Sequence, residues 1–292
     1  MPVDNSPVGL IAGWGRYPIV VAEALRKQGH RVICAGLKDH ADAKLREISD
    51  VYKSISLAQI GTGIRFFRRN GVRTATMAGK VHKVLLFQRY FLLKHFPDWQ
   101  GMRTFFPHFI ARNKDRKDDT LIGAVVDTLT RHGISIAPAT EFVPELLVKA
   151  GNLTQRLPTA YEQKDIKFAW QIAKEIGRLD IGQSVAVLGR AVLALEAVEG
   201  TDQCIRRAGD LCDAGFTLVK VAKPQQDMRF DVPTIGLGTL ESLVQAGGKV
   251  LAVEADKTIL VDQAKVVDFA DRHGLSIVAL RDGAEGTMSR AA

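Results

Sequence analysis

One stretch of the sequence concentrates acidic, amide and basic side chains directly after the apolar segment TLVKVA. It holds Lys223, Gln226, Asp227, Arg229 and Asp231. Packing alone rarely needs that mixture, which is typical of a functional loop. Carboxylates can hold a divalent cation or orient a water molecule, and the cations can neutralise phosphate oxygens. The stretch therefore predicts a site for phosphate chemistry.

The spacing of the two loop carboxylates leaves two hypotheses open. In an extended chain Asp227 and Asp231 would lie about 13 Å apart, because a strand rises roughly 3.3 Å per residue. That distance is too long for both to bind one metal ion. Either the loop folds back on itself, or only one of the two aspartates is a metal ligand.

A second acidic group lies upstream, in the segment ALEAVEGTDQ. Glu196, Glu199 and Asp202 supply three carboxylates close to the hydroxyl of Thr201. Such oxygen atoms suit Mg²⁺, which pairs naturally with phosphate substrates. Thr201 or Asp202 is equally an ordinary N-cap for the helix predicted to follow. The carboxylates that we expect to supply metal ligands are Glu199, Asp202, Asp227 and Asp231.

Two glycine turns end apolar segments in the first half of the chain. Gly13 and Gly15 precede a helical segment, where a phosphate can approach the backbone N–H groups of a helix start. Pro18 occupies the third position of a G-x-G-x-x-G motif, so nicotinamide binding, another phosphate contact and a structural turn all remain open. Gly79 and Lys80 end another apolar segment, where Lys80 is either an anion contact or a solvated surface charge.

The elements that position these residues divide into two patterns. Apolar strands alternate with helices over residues 1–150, which predicts a Rossmann-like open parallel sheet that binds nucleotide or phosphate. A turn-rich stretch at 151–158 predicts a linker. Successive strands within 159–292 predict an α+β domain with a mixed sheet, which carries the acidic loop. The predicted fold class is thus α/β with a second, α+β domain. Helices are predicted at 59–70, 118–132, 165–178, 201–214 and 263–273.

The composition and the start of the chain predict a globular, cytoplasmic protein. A chain of 292 residues favours two domains at roughly 100–200 residues each. It has no apolar stretch of the roughly 18 residues that a spanning helix needs, and its start lacks the pattern of a signal peptide. Cys34, Cys204 and Cys212 have no metal-ligand spacing and are expected to be small buried hydrophobes.

The positive charge is concentrated in one segment. Residues 81–117 hold eight basic and two acidic residues, a net charge of +6 out of +8, with six of the thirteen Phe. Basic and aromatic residues together suit an anionic membrane surface, a lipid substrate or a nucleic acid. An amphipathic helix with its aromatics packed inward is the alternative. Because the charge is confined to one segment, we expect no nucleic-acid partner. Peripheral contact with the inner membrane is compatible with these basic and aromatic residues.

Four motifs together resemble the LpxI-type UDP-2,3-diacylglucosamine pyrophosphatase family of lipid A biosynthesis, over nearly the whole chain. They are Gly13-Trp-Gly15, Met77-Ala-Gly-Lys80, Glu199-Gly-Thr-Asp202 and the long Lys223-Pro-Gln-Gln-Asp-Met-Arg-Phe-Asp-Val-Pro233. The resemblance implies an acylated UDP-sugar substrate, which magnesium and an attacking water convert to UMP and 2,3-diacylglucosamine 1-phosphate (lipid X). It also implies a nucleotide-fold domain followed by a separate carboxy-terminal domain.

The resemblance also implies roles for single residues. It makes Asp227 the catalytic carboxylate, with Asp231 as the alternative. The residues that we expect to bind substrate are Gly13, Gly15, Gly79, Lys80, Thr201, Lys223, Gln226 and Arg229. The incomplete glycine turn supports another function, that of an NAD(P)-dependent Rossmann oxidoreductase. A homodimer is compatible with the sequence.

Overall fold

The computed structural model describes residues 6–80, 97–109, 118–213 and 215–281. The chain forms two compact units, of which the first comprises Met1–Pro144 with Asp227–Asp231 and the second Glu145–Gln226 with Val232–Ala292. The five loop residues that we assigned to the second domain thus belong to the first unit. Among the helices within the described ranges, none has both the length and the apolar composition of a membrane-spanning segment.

A parallel sheet forms the centre of the first unit. Its five strands in the described residues have the order β3-β2-β1-β4-β5, and every pairing is parallel. The strands are β1 (Pro7–Ala12), β2 (Arg31–Leu37), β3 (Val51–Ile55), β4 (Thr74–Ala78) and β5 (Ser135–Ile136). The helices are α1 (Tyr17–Lys27), α2 (Leu45–Ile48), α3 (Ile60–Arg69), α4 (Trp99–Phe109), α5 (Asp118–Arg131) and α6 (Ala139–Phe142). The open parallel sheet predicted from the sequence is confirmed.

The spacing of apolar residues in the sequence explains the core of the first unit. In β2 the side chains of Val32, Ile33 and Cys34 are all fully buried, because helices cover both faces of a parallel sheet. In α3 the buried residues Ile60, Ile64 and Phe67 recur at the spacing of one helix face. Strand order reverses at β1, so the carboxyl ends of β1 and β4 form the edge where open α/β sheets bind ligands.

Asp98 joins the starts of two helices in the first unit. Its carboxylate accepts hydrogen bonds from the N–H of Gly101 in α4, at 2.9 Å, and from those of Gly61 and Thr62 in α3, at 3.1 and 2.7 Å. Gln59, which precedes α3, offers no side-chain cap of its own. Burial alone would raise the pKa of Asp98, but these hydrogen bonds outweigh it and lower the pKa below its usual value.

Asp98→Ala is therefore expected to lower the free energy of unfolding by about 1–2 kcal/mol at pH 7, the usual cost of losing a helix cap. Because the folded-state pKa is depressed, this stabilisation is complete above the usual pKa of about 4 and is lost as the pH falls through the folded value. Urea unfolding at pH 7 and at pH 3 measures both effects. Asp98→Asn, which keeps an acceptor oxygen, should cost less. Equal stability of wild type and Asp98→Ala at pH 7 would contradict the capping role.

A mixed sheet forms the centre of the second unit. Across the described part of this unit, six strands have the order β6-β13-β11-β9-β7-β8, and β10 pairs separately with β12. The strands are β6 (Gly151–Asn152), β7 (Ser184–Leu188), β8 (Ala191–Leu195), β9 (Thr217–Lys220), β10 (Thr234–Ile235), β11 (Val250–Glu254), β12 (Ile259–Leu260) and β13 (Ser276–Leu280). The helices are α7 (Ala160–Arg178), α8 (Thr201–Gly209), α9 (Leu237–Gln245) and α10 (Gln263–Arg272). The predicted mixed sheet is confirmed, whereas β10 and α9 were not predicted.

The stretch predicted as a linker, 151–158, is instead built into the second unit. Its strand β6 pairs antiparallel with β13. The Thr154 hydroxyl accepts a hydrogen bond from the N–H of Ile277 at 2.9 Å, and Arg156 pairs with Glu162 at 2.6 Å. A capping box between Thr159 and Glu162 starts α7 at Ala160, five residues before the predicted start. Turn-forming composition therefore marks a strand edge and a helix cap here.

Candidate active site

The two glycine turns lie against each other at the carboxyl ends of β1 and β4. The Gly13 N–H donates to the Ala78 carbonyl at 2.8 Å. Trp14 and Lys80 then exchange both backbone hydrogen bonds, at 2.8 and 2.9 Å. Two motifs that the sequence presents 65 residues apart thus form one backbone platform, at the edge of the sheet that favours ligands.

Glycine is required on both sides of this platform. A Cβ at Gly13 would lie 2.7 Å from the Lys80 carbonyl oxygen. Gly79 has a φ of +95°, and a Cβ there would lie 2.7 Å from the Pro18 side chain. Close backbone packing alone therefore explains Gly13 and Gly79. Behind the platform α1 starts without a side-chain cap and without an acidic residue in its first turn, which keeps that helix start favourable to an anion.

The acidic loop folds back on itself rather than extending. The Asp231 N–H donates to the Asp227 carbonyl at 3.0 Å. Phe230 packs against the apolar core of the first unit. The first of our two hypotheses for this loop therefore describes its backbone.

Asp227 and Arg229 form a two-pronged ion pair. Arg229 Nε donates to Asp227 Oδ1 at 2.9 Å, and its Nη2 donates to Oδ2 at 2.6 Å. The Arg229 side-chain hydrogen bonds lower the pKa of Asp227, and burial opposes this only in part. The aspartate is therefore ionised at neutral pH. Its side chain is 30% exposed and that of Arg229 is 43% exposed, so both remain accessible.

The start of the loop, from Lys223 to Gln226, lies within the second unit. Lys223 Nζ donates to Asp180 at 2.7 Å, and the Lys223 N–H donates to the Gln226 side-chain oxygen at 2.8 Å. We expected Lys223 and Gln226 to bind substrate. Both make contacts that shape the loop, and the Lys223 side chain is only 9% exposed.

The upstream acidic group is divided among separate partners. Thr201 donates to Glu196 Oε1 at 2.9 Å and accepts from Lys220 Nζ at 2.9 Å. Glu199 instead pairs with Arg207 at 3.2 Å. Thr201 is the first residue of α8, and the N-cap is Gly200. Neither alternative for the N-cap, Thr201 or Asp202, describes this helix.

The structure does not gather the four expected metal ligands into one cluster. Within the described ranges, no group of three or more His, Cys, Asp and Glu side chains is arranged to hold a metal ion. Magnesium does not require such a group, because it commonly binds one or two carboxylates together with substrate phosphates and water. The ionised, partly exposed carboxylate of Asp227 fits that mode.

Two buried charged residues were missed in the sequence. Lys220 is 5% exposed and Glu254 is 1% exposed. Each stands at the end of an apolar strand segment, TLVK and VLAVE. A charge in such a segment must be paired when it is buried, and that pattern could have identified both.

Comparison with known proteins decides the family. Residues 7–146 match the family model of the LpxI N-terminal domain, and residues 149–278 match that of the LpxI C-terminal domain. The chain belongs to the LpxI family. It is 32% identical over 281 residues to "UDP-2,3-diacylglucosamine pyrophosphatase LpxI" of Caulobacter vibrioides, an alignment that covers 94% of this chain and 97% of that relative. The LpxI resemblance noted in the sequence is thereby confirmed.

The LpxI domain matches include every residue that we selected. Gly13, Gly15, Gly79 and Lys80 lie in the part that matches the LpxI N-terminal domain, and the acidic residues and the loop lie in the part that matches the LpxI C-terminal domain. The matches meet between residues 146 and 149, close to the division between the two units after Pro144.

Proposed function

We propose that this protein hydrolyses the diphosphate bond of UDP-2,3-diacylglucosamine, releasing UMP and 2,3-diacylglucosamine 1-phosphate for lipid A synthesis. The observation that carries the proposal is the full-length similarity to the LpxI relative of that name. The ionised pair of Asp227 and Arg229 supports it, because phosphoanhydride cleavage needs a positioned carboxylate and cations near phosphate oxygens. This function was the interpretation favoured by the sequence, and the NAD(P)-dependent oxidoreductase was its alternative.

The proposed hydrolysis assigns a separate role to each of several residues. Asp227 would orient the attacking water or bind the metal ion, and Arg229 and Lys80 would neutralise diphosphate oxygens. Mg²⁺, held by Asp227 and substrate phosphates, would supply charge stabilisation. The N–H groups at the start of α1 would favour a phosphate beside Gly15. Lys223 is the weaker candidate for the diphosphate, because Asp180 already pairs with it.

The direct test is incubation of the purified protein with UDP-2,3-diacylglucosamine and magnesium, followed by chromatography for UMP. We expect equal amounts of UMP and the acylated sugar phosphate. Release of UDP, or no product over a range of metal and detergent conditions, would overturn the proposal.

Peripheral membrane contact is the second part of the proposal, and it draws on α4. This helix buries Thr104 and Phe105 but leaves Trp99 73% exposed and Met102 44% exposed, with Arg103 also exposed. An exposed face of aromatic, apolar and basic side chains suits the interface of an anionic bilayer. The remaining basic residues of the segment, Lys83, Arg89, Lys94, Arg112, Lys114, Arg116 and Lys117, lie outside the described residues.

We therefore predict salt-sensitive binding to vesicles of phosphatidylglycerol and phosphatidylethanolamine. Each basic residue near such a surface contributes about 1 kcal/mol, so Trp99→Ala with Arg103→Glu should weaken sedimentation with vesicles at least about fivefold. Turnover of detergent-solubilised substrate should be mostly kept. The matched control is Tyr161→Ala with Lys164→Glu, which removes an exposed aromatic residue and the lysine 5.6 Å from its ring. Equal weakening by both double variants would contradict a role for α4.

A further inference from the structure

Glu254 is a buried carboxylate at the carboxyl end of β11. Its side chain is 1% exposed. Lys174 Nζ donates to both of its oxygens, at 2.9 and 2.8 Å, and Lys257 pairs with it at 2.8 Å. A charge so far from water is retained only where partners satisfy it, because removing one partner leaves an uncompensated buried ion. These contacts therefore fix the position of the Glu254 carboxylate.

A backbone group shares this carboxylate. The Ala222 N–H donates to Glu254 Oε2 at 2.9 Å, and Lys174 Nζ also approaches the Ala222 carbonyl oxygen at 3.4 Å. Ala222 is the residue directly before Lys223, where the loop that carries Asp227 begins. The buried pair thus holds both polar backbone atoms of the last residue before the loop.

We propose that Glu254 and Lys174 are positioning residues that fix the base of the loop Lys223–Asp231, and through it the orientation of Asp227. The inference rests on the proposed function in assigning Asp227 a catalytic task. Catalytic carboxylates must be held within about 0.5 Å of their productive position by neighbouring side chains. A displacement of about 1 Å can cost on the order of 100-fold in rate.

The variants are Glu254→Gln, Glu254→Ala and Lys174→Met. Glu254→Gln keeps an oxygen that can accept from Ala222, so it should be the mildest change at Glu254. The matched control is Asp165→Asn, a change at another buried carboxylate of the second unit. Asp165 is 5% exposed and accepts from the N–H groups of Gly189 and Arg190 at 2.9 and 2.6 Å, which fixes the turn between β7 and β8.

Two measurements distinguish a positioning role from a general loss of stability. Each is made on every variant at a temperature the same number of degrees below that variant's melting temperature. Hydrogen exchange of the peptide 222–231 should accelerate in Glu254→Ala and Lys174→Met but not in Asp165→Asn. In the same two variants kcat for UMP release should fall about 10-fold or more with KM within about twofold, as expected for a displaced catalytic group.

Several results would overturn this assignment. One is unchanged exchange of the loop in both Glu254→Ala and Lys174→Met. Another is an equal loss of kcat in Asp165→Asn. If Glu254→Ala does not fold, Glu254→Gln and Lys174→Met decide the question. A wild-type protein that releases no UMP overturns the proposed function instead, and hydrogen exchange alone then decides whether the pair positions the loop.

Discussion

Asp227→Ala is expected to lower the rate of UMP release about 100-fold or more, within the range that a positioned acid–base or water-orienting group contributes. Asp227 is the proposed catalytic carboxylate, and its depressed pKa keeps it ionised under assay conditions. The fold should survive, because the lost pair with Arg229 is partly exposed, and such pairs contribute about 0–1 kcal/mol. Initial rates of UMP release and urea unfolding measure the two effects.

Asp231→Ala should be measured in parallel with Asp227→Ala, because the sequence left both aspartates as candidates for the catalytic carboxylate. The Asp231 N–H closes the turn through the Asp227 carbonyl, and alanine keeps that N–H. We therefore expect a smaller loss of activity in Asp231→Ala. Retention of a third of wild-type turnover by Asp227→Ala would refute its role. Loss of activity in Asp231→Ala alone would reverse the two assignments.

Chelation should abolish activity nearly completely, and added Mg²⁺ should restore it. The expectation rests on oxygen-bearing candidate ligands, which select a hard cation, and on the charge of the diphosphate, which a bound metal neutralises in the transition state. UMP release is measured in EDTA, then with excess magnesium. EDTA presaturated with magnesium is the control for effects of the chelator itself. Full turnover in metal-free chelator would refute the dependence.

The metal dependence also has a structural consequence. Arg229 occupies both oxygens of Asp227, so an ion bound there must share or replace that contact. Arg229→Ala should therefore bind magnesium at least as tightly as wild type while losing turnover, because the cation proposed for the diphosphate is gone. A large rise in the magnesium concentration needed by Arg229→Ala would show that Arg229 instead holds Asp227 in place for the metal.

Local sequence predicted the parts of the site that depend on neighbours in the chain. The loop around Asp227 was found because its composition suits no packed strand, and α3 ends at Arg69 as Gly71 predicted. The same reasoning could not show that Gly13 and Gly79 abut, because that contact depends on β1 lying beside β4. Strand neighbours are set by the whole sheet rather than by nearby residues.

The pairing of buried charges was the other feature that the sequence could not predict. Glu254 and Lys174 are 80 residues apart, so the apolar segment VLAVE can mark Glu254 as a buried charge but cannot show that Lys174 is its partner. The stretch 151–158 misled for a related reason. Its glycine and proline content is typical of a loop, but β6 needs only two residues to pair with β13, too few to show a strand period.

The pairing of β6 with β13 decides where this chain can be cut. A fragment that begins at residue 159 would lack β6 and would expose the hydrogen-bonding edge of β13. An exposed strand edge can pair with other chains and so promotes aggregation. A fragment that ends at residue 144 would lack Phe230, whose ring packs against the core that remains. Each unit thus includes chain that a simple division at the predicted linker would remove. Neither fragment is therefore expected to serve as an independent module for fusion or recombination with another protein.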